Sequence, residues 1–168
     1  MPISVNSDGL SIRYGTSQGQ VNVIGSPKQA GLHKTLVIDF GYQDLDPYTS
    51  SNSFFGGTPD VWIPAGSSIV SANLYVTTAF DSGSTATLGL GFVKFDGTEL
   101  DYDGIDVTIA ETAIDTIGKV VACDGALIAG SGGAVLLTHD AYPSYDVGTA
   151  SYTVGQARLV ITYFKPVA

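Results

Sequence analysis

Ser67-Ser-Ile-Val-Ser-Ala-Asn-Leu-Tyr-Val-Thr-Thr-Ala-Phe80, Asp81-Ser-Gly-Ser84 and Thr85-Ala-Thr-Leu-Gly-Leu-Gly-Phe-Val-Lys-Phe95 form one continuous stretch that decides the fold class. In its first part Val70, Ala72, Leu74, Val76 and Phe80 alternate with Ser71, Asn73, Tyr75 and Thr77. A period of two sets one row of side chains on a core and the other towards water. The last part repeats the pattern, with Ala86, Leu88, Leu90 and Phe92 inward. The four residues Asp81–Ser84 between the runs read as a hairpin loop. The outward rows carry Ser, Thr, Asn and Gly, not the residue types of catalysis.

Outward from this stretch, His33–Phe40 predicts a strand with Leu36, Ile38 and Phe40 on one face. Val61–Pro64 predicts a short strand ended by its proline. Ile105–Ile109, Val120–Ala122 and Ala134–His139 are further strand candidates. Gln156–Lys165 alternates with Ala157, Leu159, Ile161 and Tyr163 on one side. Ala110, Ala113, Ile114 and Ile117 fit one face of a short helix, and Gly118 fits its C-terminal cap. Tyr42–Asp60 reads as a long loop holding Tyr48, Phe54 and Phe55, and Asp96–Asp106 as an acidic loop. Many short strands with turn signals between them predict an all-β fold, a jelly roll or β-sandwich with one short helix. Residues 1–31 hold the apolar patches Ile3-Ser4-Val5 and Val21-Asn22-Val23-Ile24 in a Gly/Ser/Gln/Asn-rich setting. They read as an extended N-terminal arm or edge strands, with residues 32–168 as a single domain.

A chain of 168 residues suits one domain of that kind. The apolar share of 44 % supports a real core and excludes a disordered polyanion. Charged residues make up 14 %, well below the roughly 25 % of an average protein, which suits a surface buried in an assembly. The net charge of −9 leaves no basic patch to neutralise phosphates, so no nucleic-acid partner is expected. An anionic membrane would repel the chain, and no apolar run approaches the ~20 residues that span a bilayer. The single cysteine, Cys123, allows no intrachain disulfide and reads as a small buried hydrophobe. The first residues lack a signal-peptide pattern, so synthesis in a cytoplasm is expected.

Few motifs point to chemistry. Gly15-Thr16-Ser17-Gln18-Gly19 matches the G-x-S-x-G string, but no helix follows it, and nothing beyond a nominal base in His139 supports it. Asp96, Glu99, Asp101, Asp103 and Asp106 offer hard oxygens for a cation. Asp101–Asp106 starts like an EF-hand loop, yet Ile105 stands at its fifth position and its glycine is misplaced, so a solvated acidic turn is the plainer reading. His33 and His139 make no metal-ligand spacing with each other or with Cys123. Gly89-Leu90-Gly91 and Gly130-Ser131-Gly132-Gly133 lack the Lys-Ser/Thr of a phosphate loop. No metal, cofactor or catalytic residue is therefore assigned.

Four segments resemble small tailed-phage virion proteins, namely capsid decoration (cement) proteins and related head-surface proteins. The first is Val61-Trp62-Ile63-Pro64-Ala65-Gly66-Ser67-Ser68-Ile69-Val70, which looks like the lead-in to their long hairpin. Ala79–Gly91 and Asp124-Gly125-Ala126-Leu127-Ile128 follow, and Gly155–Tyr163 looks like the closing strand. The resemblance spans roughly residues 60–165. It implies a jelly-roll module without catalytic residues, associated as a homotrimer on the surface of an icosahedral shell in the virion. The partner it implies is the major capsid protein, whose subunits the module would bridge to stabilise the head. For the interfaces the candidates are Ile3 and Val5 of the arm and the aromatics Tyr48, Phe54, Phe55 and Trp62. Tyr48, Phe54 and Phe55 have a plainer reading too, as plugs of a core edge.

Two other classes compete. A receptor- or glycan-binding module of a tail fibre or spike would display exposed aromatics beside carboxylates, for which Tyr102, and Tyr142 and Tyr145 near Asp146, are the candidates. A small glycoside hydrolase or lyase would need two carboxylates at a fixed separation across a sugar ring.

Overall fold

A computed structural model describes residues 3–5, 11–13, 33–45, 49–55, 59, 61–128 and 135–165. The strands are β1 (Ile3–Val5), β2 (Ser11–Arg13), β3 (His33–Gly41), β4 (Thr49–Phe54), β5 (Ser68–Asp81), β6 (Thr87–Val93), β7 (Glu99–Ala110), β8 (Val120–Ala122), β9 (Tyr142–Gly148) and β10 (Val154–Phe164). A 3-10 turn at Tyr42–Asp44 follows β3, and the one-turn helix α1 (Glu111–Ile114) follows β7. One sheet has the order β3-β10-β5-β8 and a second the order β4-β9-β6-β7, with every pair antiparallel. From β3 to β10 the chain changes sheet at every connection except β6–β7. Eight strands so wound make a double-sheet jelly roll, the all-β class expected from the alternation.

Hydrophobic burial between the sheets holds the fold together. Leu74, Phe80, Leu88, Leu90, Phe92, Leu159 and Ile161 are all at most 1 % exposed and meet in one core. The expected inward rows of β6 and β10 are buried, as are Ala72, Leu74, Val76 and Phe80 of β5. Val70 is the exception, and Ile69 is buried in its place. Thr162 pairs with Ser71 while Tyr163 pairs with Ile69, so Val70 is an extra residue that reverses the phase of β5.

The expected β5–β6 hairpin is corrected: the two strands lie in opposite sheets. Both sides of β5 are occupied by β10 and β8, and both sides of β6 by β9 and β7. The connection is a corner instead. Asp81 Oδ1 accepts from the Gly83 N–H at 2.8 Å, and Glu111 Oε2 accepts from the Ala86 N–H at 3.1 Å and from the Ser82 hydroxyl. The true same-sheet hairpin joins β6 to β7 through a turn closed by Lys94 N–H to Thr98 O at 2.8 Å, with Gly97 at φ +79°.

Other expectations also change. The loop Tyr42–Asp60 contains β4, and the acidic segment from Glu99 onward is the long strand β7. Val61–Pro64 and the described part of 134–139 contribute single bridges, Ile63 to Ala141 and Leu136 to Ser68, instead of strands. The helix is limited to Glu111–Ile114: Ile114 is fully buried, but Ile117 is 70 % exposed. Gly118 adopts φ +85° in the turn that follows, where its N–H reaches Val76 O at 2.9 Å. The strand β9 carries no alternation that would have revealed it.

Candidate docking surface

Ile63 is fully buried, and its N–H and C=O both bond to Ala141, at 2.8 and 2.9 Å. Its neighbour Trp62 is thereby turned outward and is 50 % exposed. Trp62 meets Tyr142, the first residue of β9, with ring centroids 6.2 Å apart and planes 30° apart. Phe54, at the end of β4, packs edge-on against the same tyrosine at 6.2 Å. Phe95, in the β6–β7 turn, joins it at 5.8 Å and is 69 % exposed. Tyr142 is thus a buried hub beneath three rings contributed by separate parts of the chain.

A hollow opens on each side of this cluster. One, of about 390 Å³, is lined by Lys94, Phe95, Asp96, His139, Asp140 and Tyr142. The other, of about 310 Å³, is lined by Leu36, Val61, Trp62, Pro64 and Tyr163. The two carboxylates beside the first hollow are engaged in holding turns. Asp140 Oδ1 accepts from the Ala65 N–H at 2.8 Å. Asp96 Oδ1 accepts from the Thr98 hydroxyl at 2.6 Å and the Thr98 N–H at 3.0 Å, and these bonds hold its carboxyl below the ordinary aspartate range. His139 Nδ1 lies 3.0 Å from the Thr138 hydroxyl. Such a surface is suited to exclude water against a partner, since exposed Trp and Phe rings each carry ~150–250 Å² of area and anchor interfaces.

Of the aromatics singled out from sequence, Phe54 and Trp62 come together here. Phe55 turns into the core, 4.8 Å from the Phe40 ring and 5.1 Å from Tyr145. Ile3 and Val5 belong to β1, which pairs with β2 in a sheet of its own. Tyr48 lies outside the described residues, as do Gly15–Gly19 and Gly130–Gly133. Tyr142 and Phe95 were not singled out as interface residues. For Phe95 a signal existed: it falls in the outward phase of its run, beside the turn residues Asp96-Gly97.

The tyrosines expected to display a glycan site do not form one surface. Tyr145 is 2 % exposed and belongs to the core, Tyr142 is beneath the ring cluster, and Tyr102 is 38 % exposed on β7. The carboxylates of β7 are spread by its irregular pairing. Leu90 pairs with Asp106 and Phe92 with Asp101, so the chain between Asp101 and Asp106 bulges. The segment Asp124–Ile128 seals that bulge through Gly125 N–H to Ile105 O at 2.8 Å and Leu127 N–H to Gly104 O at 3.0 Å. Partial burial, then a hydrogen bond and the charge of Asp103, push the Asp101 carboxyl up to about 6. Burial also raises Asp106. Among the described residues no group of three His, Cys, Asp or Glu side chains is placed to hold a metal ion.

No protein-family model matches the chain, and no curated protein matches it. Solved structures do match, three of them as follows. A chain in the capsid of Ralstonia phage GP4 is 14 % identical with a TM-score of 0.53, the match covering 89 % of this chain and 95 % of that one. A chain in the cyanophage Pam1 capsid asymmetric unit is 12 % identical with a TM-score of 0.52, covering 85 % and 93 %. A chain in the acidic stable capsid structure of Helicobacter pylori bacteriophage KHP30 is 16 % identical with a TM-score of 0.50, covering 80 % and 94 %. At these identities the likeness is one of fold: this chain shares the β-sandwich of those three chains over nearly their whole length.

Proposed function

We propose that this chain is a non-enzymatic structural protein of a phage virion, which decorates an icosahedral head and stabilises it by bridging major capsid protein subunits. The observation that carries this reading is the near full-length likeness of its jelly roll to chains in three phage capsids, 93 to 95 % of each of those chains being matched. Residues 32–168 form the body and residues 1–31 an arm. The body associates as a homotrimer on the outer surface of the shell, and Trp62 and Phe54, with Ile3, Val5 and Tyr48, belong to its contacts.

The mechanism is mass action. A protein that binds the assembled lattice and not the loose subunit stabilises the lattice. A trimer touching several subunits binds through linked contacts, each of which can be weak. The exposed Trp62 and Phe95 rings supply water-excluding anchors for such contacts.

The test is to mix the purified protein with heads that lack it, then to measure co-sedimentation and the melting temperature of the heads. Binding in fixed stoichiometry with a raised melting temperature is the expected result. Absence of binding refutes the reading, and binding to host cells or their polysaccharide instead would establish the adhesive alternative.

A further inference from the structure

We infer that the hollow between Phe95 and Asp140 is a binding site for a neutral saccharide, one pyranose ring seated on Phe95 with its hydroxyls met by Lys94, Asp96, His139 and Asp140. The inference goes beyond the proposed role in the head and does not rest on it, because one chain supplies every lining residue. Trp62 lines the other hollow and remains for contacts with the shell.

Two braced segments build the site. Lys94, Phe95 and Asp96 sit in the β6–β7 turn, closed by Lys94 N–H to Thr98 O at 2.8 Å and by Gly97 N–H to Lys94 O at 2.9 Å. His139 and Asp140 lead into β9, where Ala141 N–H bonds to Ile63 O at 2.9 Å and Asp140 holds the Ala65 N–H. The Tyr142 ring lies 5.8 Å from that of Phe95 with the planes 59° apart, so the two form an angled apolar floor. Phe95 is 69 % exposed and leaves most of its ring to a ligand. A volume of about 390 Å³, with an aromatic floor and a few placed polar groups, is the usual build of a small-molecule site.

Charge selects the class of ligand. Asp96 and Asp140 oppose an anion, and Lys94 opposes a cation. A wholly apolar occupant would strip water from all these groups without replacing its hydrogen bonds. The five cations and fifteen acids of residues 32–168 repel anionic polymers as well. A neutral pyranose meets every condition, since it has a face of C–H groups and a rim of hydroxyls.

The polar groups can receive that rim. The turn bonds of Asp96 and Asp140 all end on Oδ1, which leaves Oδ2 of each to accept from a hydroxyl. Hydrogen bonds to an ionised carboxylate are the stronger kind. Lys94 Nζ donates, and His139 offers Nε2 because its Nδ1 faces the Thr138 hydroxyl at 3.0 Å. Since these turns are fixed before a ligand arrives, binding costs little ordering. A site for one ring holds a single hexose at about millimolar concentration, and copies gathered in an assembly hold a polysaccharide through linked contacts.

The experiment titrates the full-length protein with the methyl pyranosides of glucose, galactose, mannose and N-acetylglucosamine, followed by saturation-transfer NMR. At least one should receive saturation, strongest on the C–H protons that face Phe95. Phe95→Ala should weaken binding about tenfold with an unchanged far-UV spectrum. Asp140→Asn keeps an acceptor for the Ala65 N–H but loses the charge, and should weaken binding several-fold. Tyr102→Ala, which removes an exposed ring from β7, should leave binding unchanged. The inference is overturned if none of the four pyranosides binds, or if Phe95→Ala binds as well as the wild type. It is equally overturned if methyl glucuronide, inorganic phosphate or tetramethylammonium binds more tightly than every neutral pyranoside. Head binding is scored separately, so either idea can fail without the other.

Discussion

Replacing Asp101 by Asn should stabilise the protein at neutral pH and flatten its response to mild acid. Asp101 lies at the edge of the β7 bulge, where burial, the Asp103 carboxyl and the Glu99 charge oppose its ionisation and move its pKa from 3.8 to about 6. A raised carboxyl pKa in the folded state means that folding takes up a proton. The stabilisation is fully present below about pH 4 and is lost as pH rises through about 6. The difference corresponds to about 3 kcal/mol at 1.36 kcal/mol per unit. Asp101 is half-buried, so screening by water reduces the effect to about 1 kcal/mol. For a chain of this size that is about 3 °C in Tm. Asn keeps the shape of the protonated acid without its charge. Melting curves of both proteins, followed by circular dichroism from pH 7.5 to 4.5, provide the assay. The wild type should gain stability on acidification, and the variant should start higher and gain less. Asp39, Asp96 and Asp115, whose carboxyls are held below the ordinary value, lose their contributions only below this window. A wild-type Tm that stays level or falls towards pH 5, or a variant that keeps the full wild-type gain, refutes the reasoning.

Three further outcomes are expected. Gly155→Ala should cost more than about 3 kcal/mol in urea unfolding, because the residue sits at φ +136° and a Cβ there would run into the Phe80 ring. Phe55→Ala should cost about 3 kcal/mol by opening a cavity between Phe40 and Tyr145, whereas Trp62→Ala should change the stability of the isolated body by less than about 1 kcal/mol. Cys123 should remain unreactive towards a disulfide reagent at pH 8 until the protein unfolds, since its thiol is buried and held protonated.

The alternation of β3, β5, β6 and β10 was legible because each strand sets one polar row against one apolar row. The corner at Asp81–Ala86 was not, because its Asp/Ser/Gly composition serves a hairpin and a crossing equally well; which strands flank β5 and β6 is decided by partners distant in sequence. The strand β9 was hidden for another reason. Tyr142 to Tyr145 are all buried, so no period of two appears, and Pro143 argued against a central strand. The proline is tolerated because β4 ends opposite Ser144, leaving it paired on the β6 side alone. β4 itself reads Thr-Ser-Ser-Asn-Ser-Phe and is a strand only by virtue of its pairing with β9. At the docking surface, Trp62 and Phe54 were visible as aromatics in segments without a core pattern. Their meeting with Phe95 on Tyr142 depends on the topology that gathers residues 54, 62, 95 and 142.

The last of the ten described strands occupies a central place in the fold. β10 lies between β3 and β5, and its partner residues on β3 stand more than a hundred positions earlier in the chain. Until Phe164 has left the ribosome, the facing edges of β3 and β5 have no partner, and the core lacks Leu159 and Ile161. Closure is consequently a late event that couples the two ends of the domain, and sheets of such high contact order form slowly. During that interval each nascent chain displays open strand edges to its neighbours, a template for aggregation. The fifteen acids spread over residues 32–168 keep those chains apart while they wait. Removing even the final residues of β10 should leave a chain that accumulates only as insoluble material.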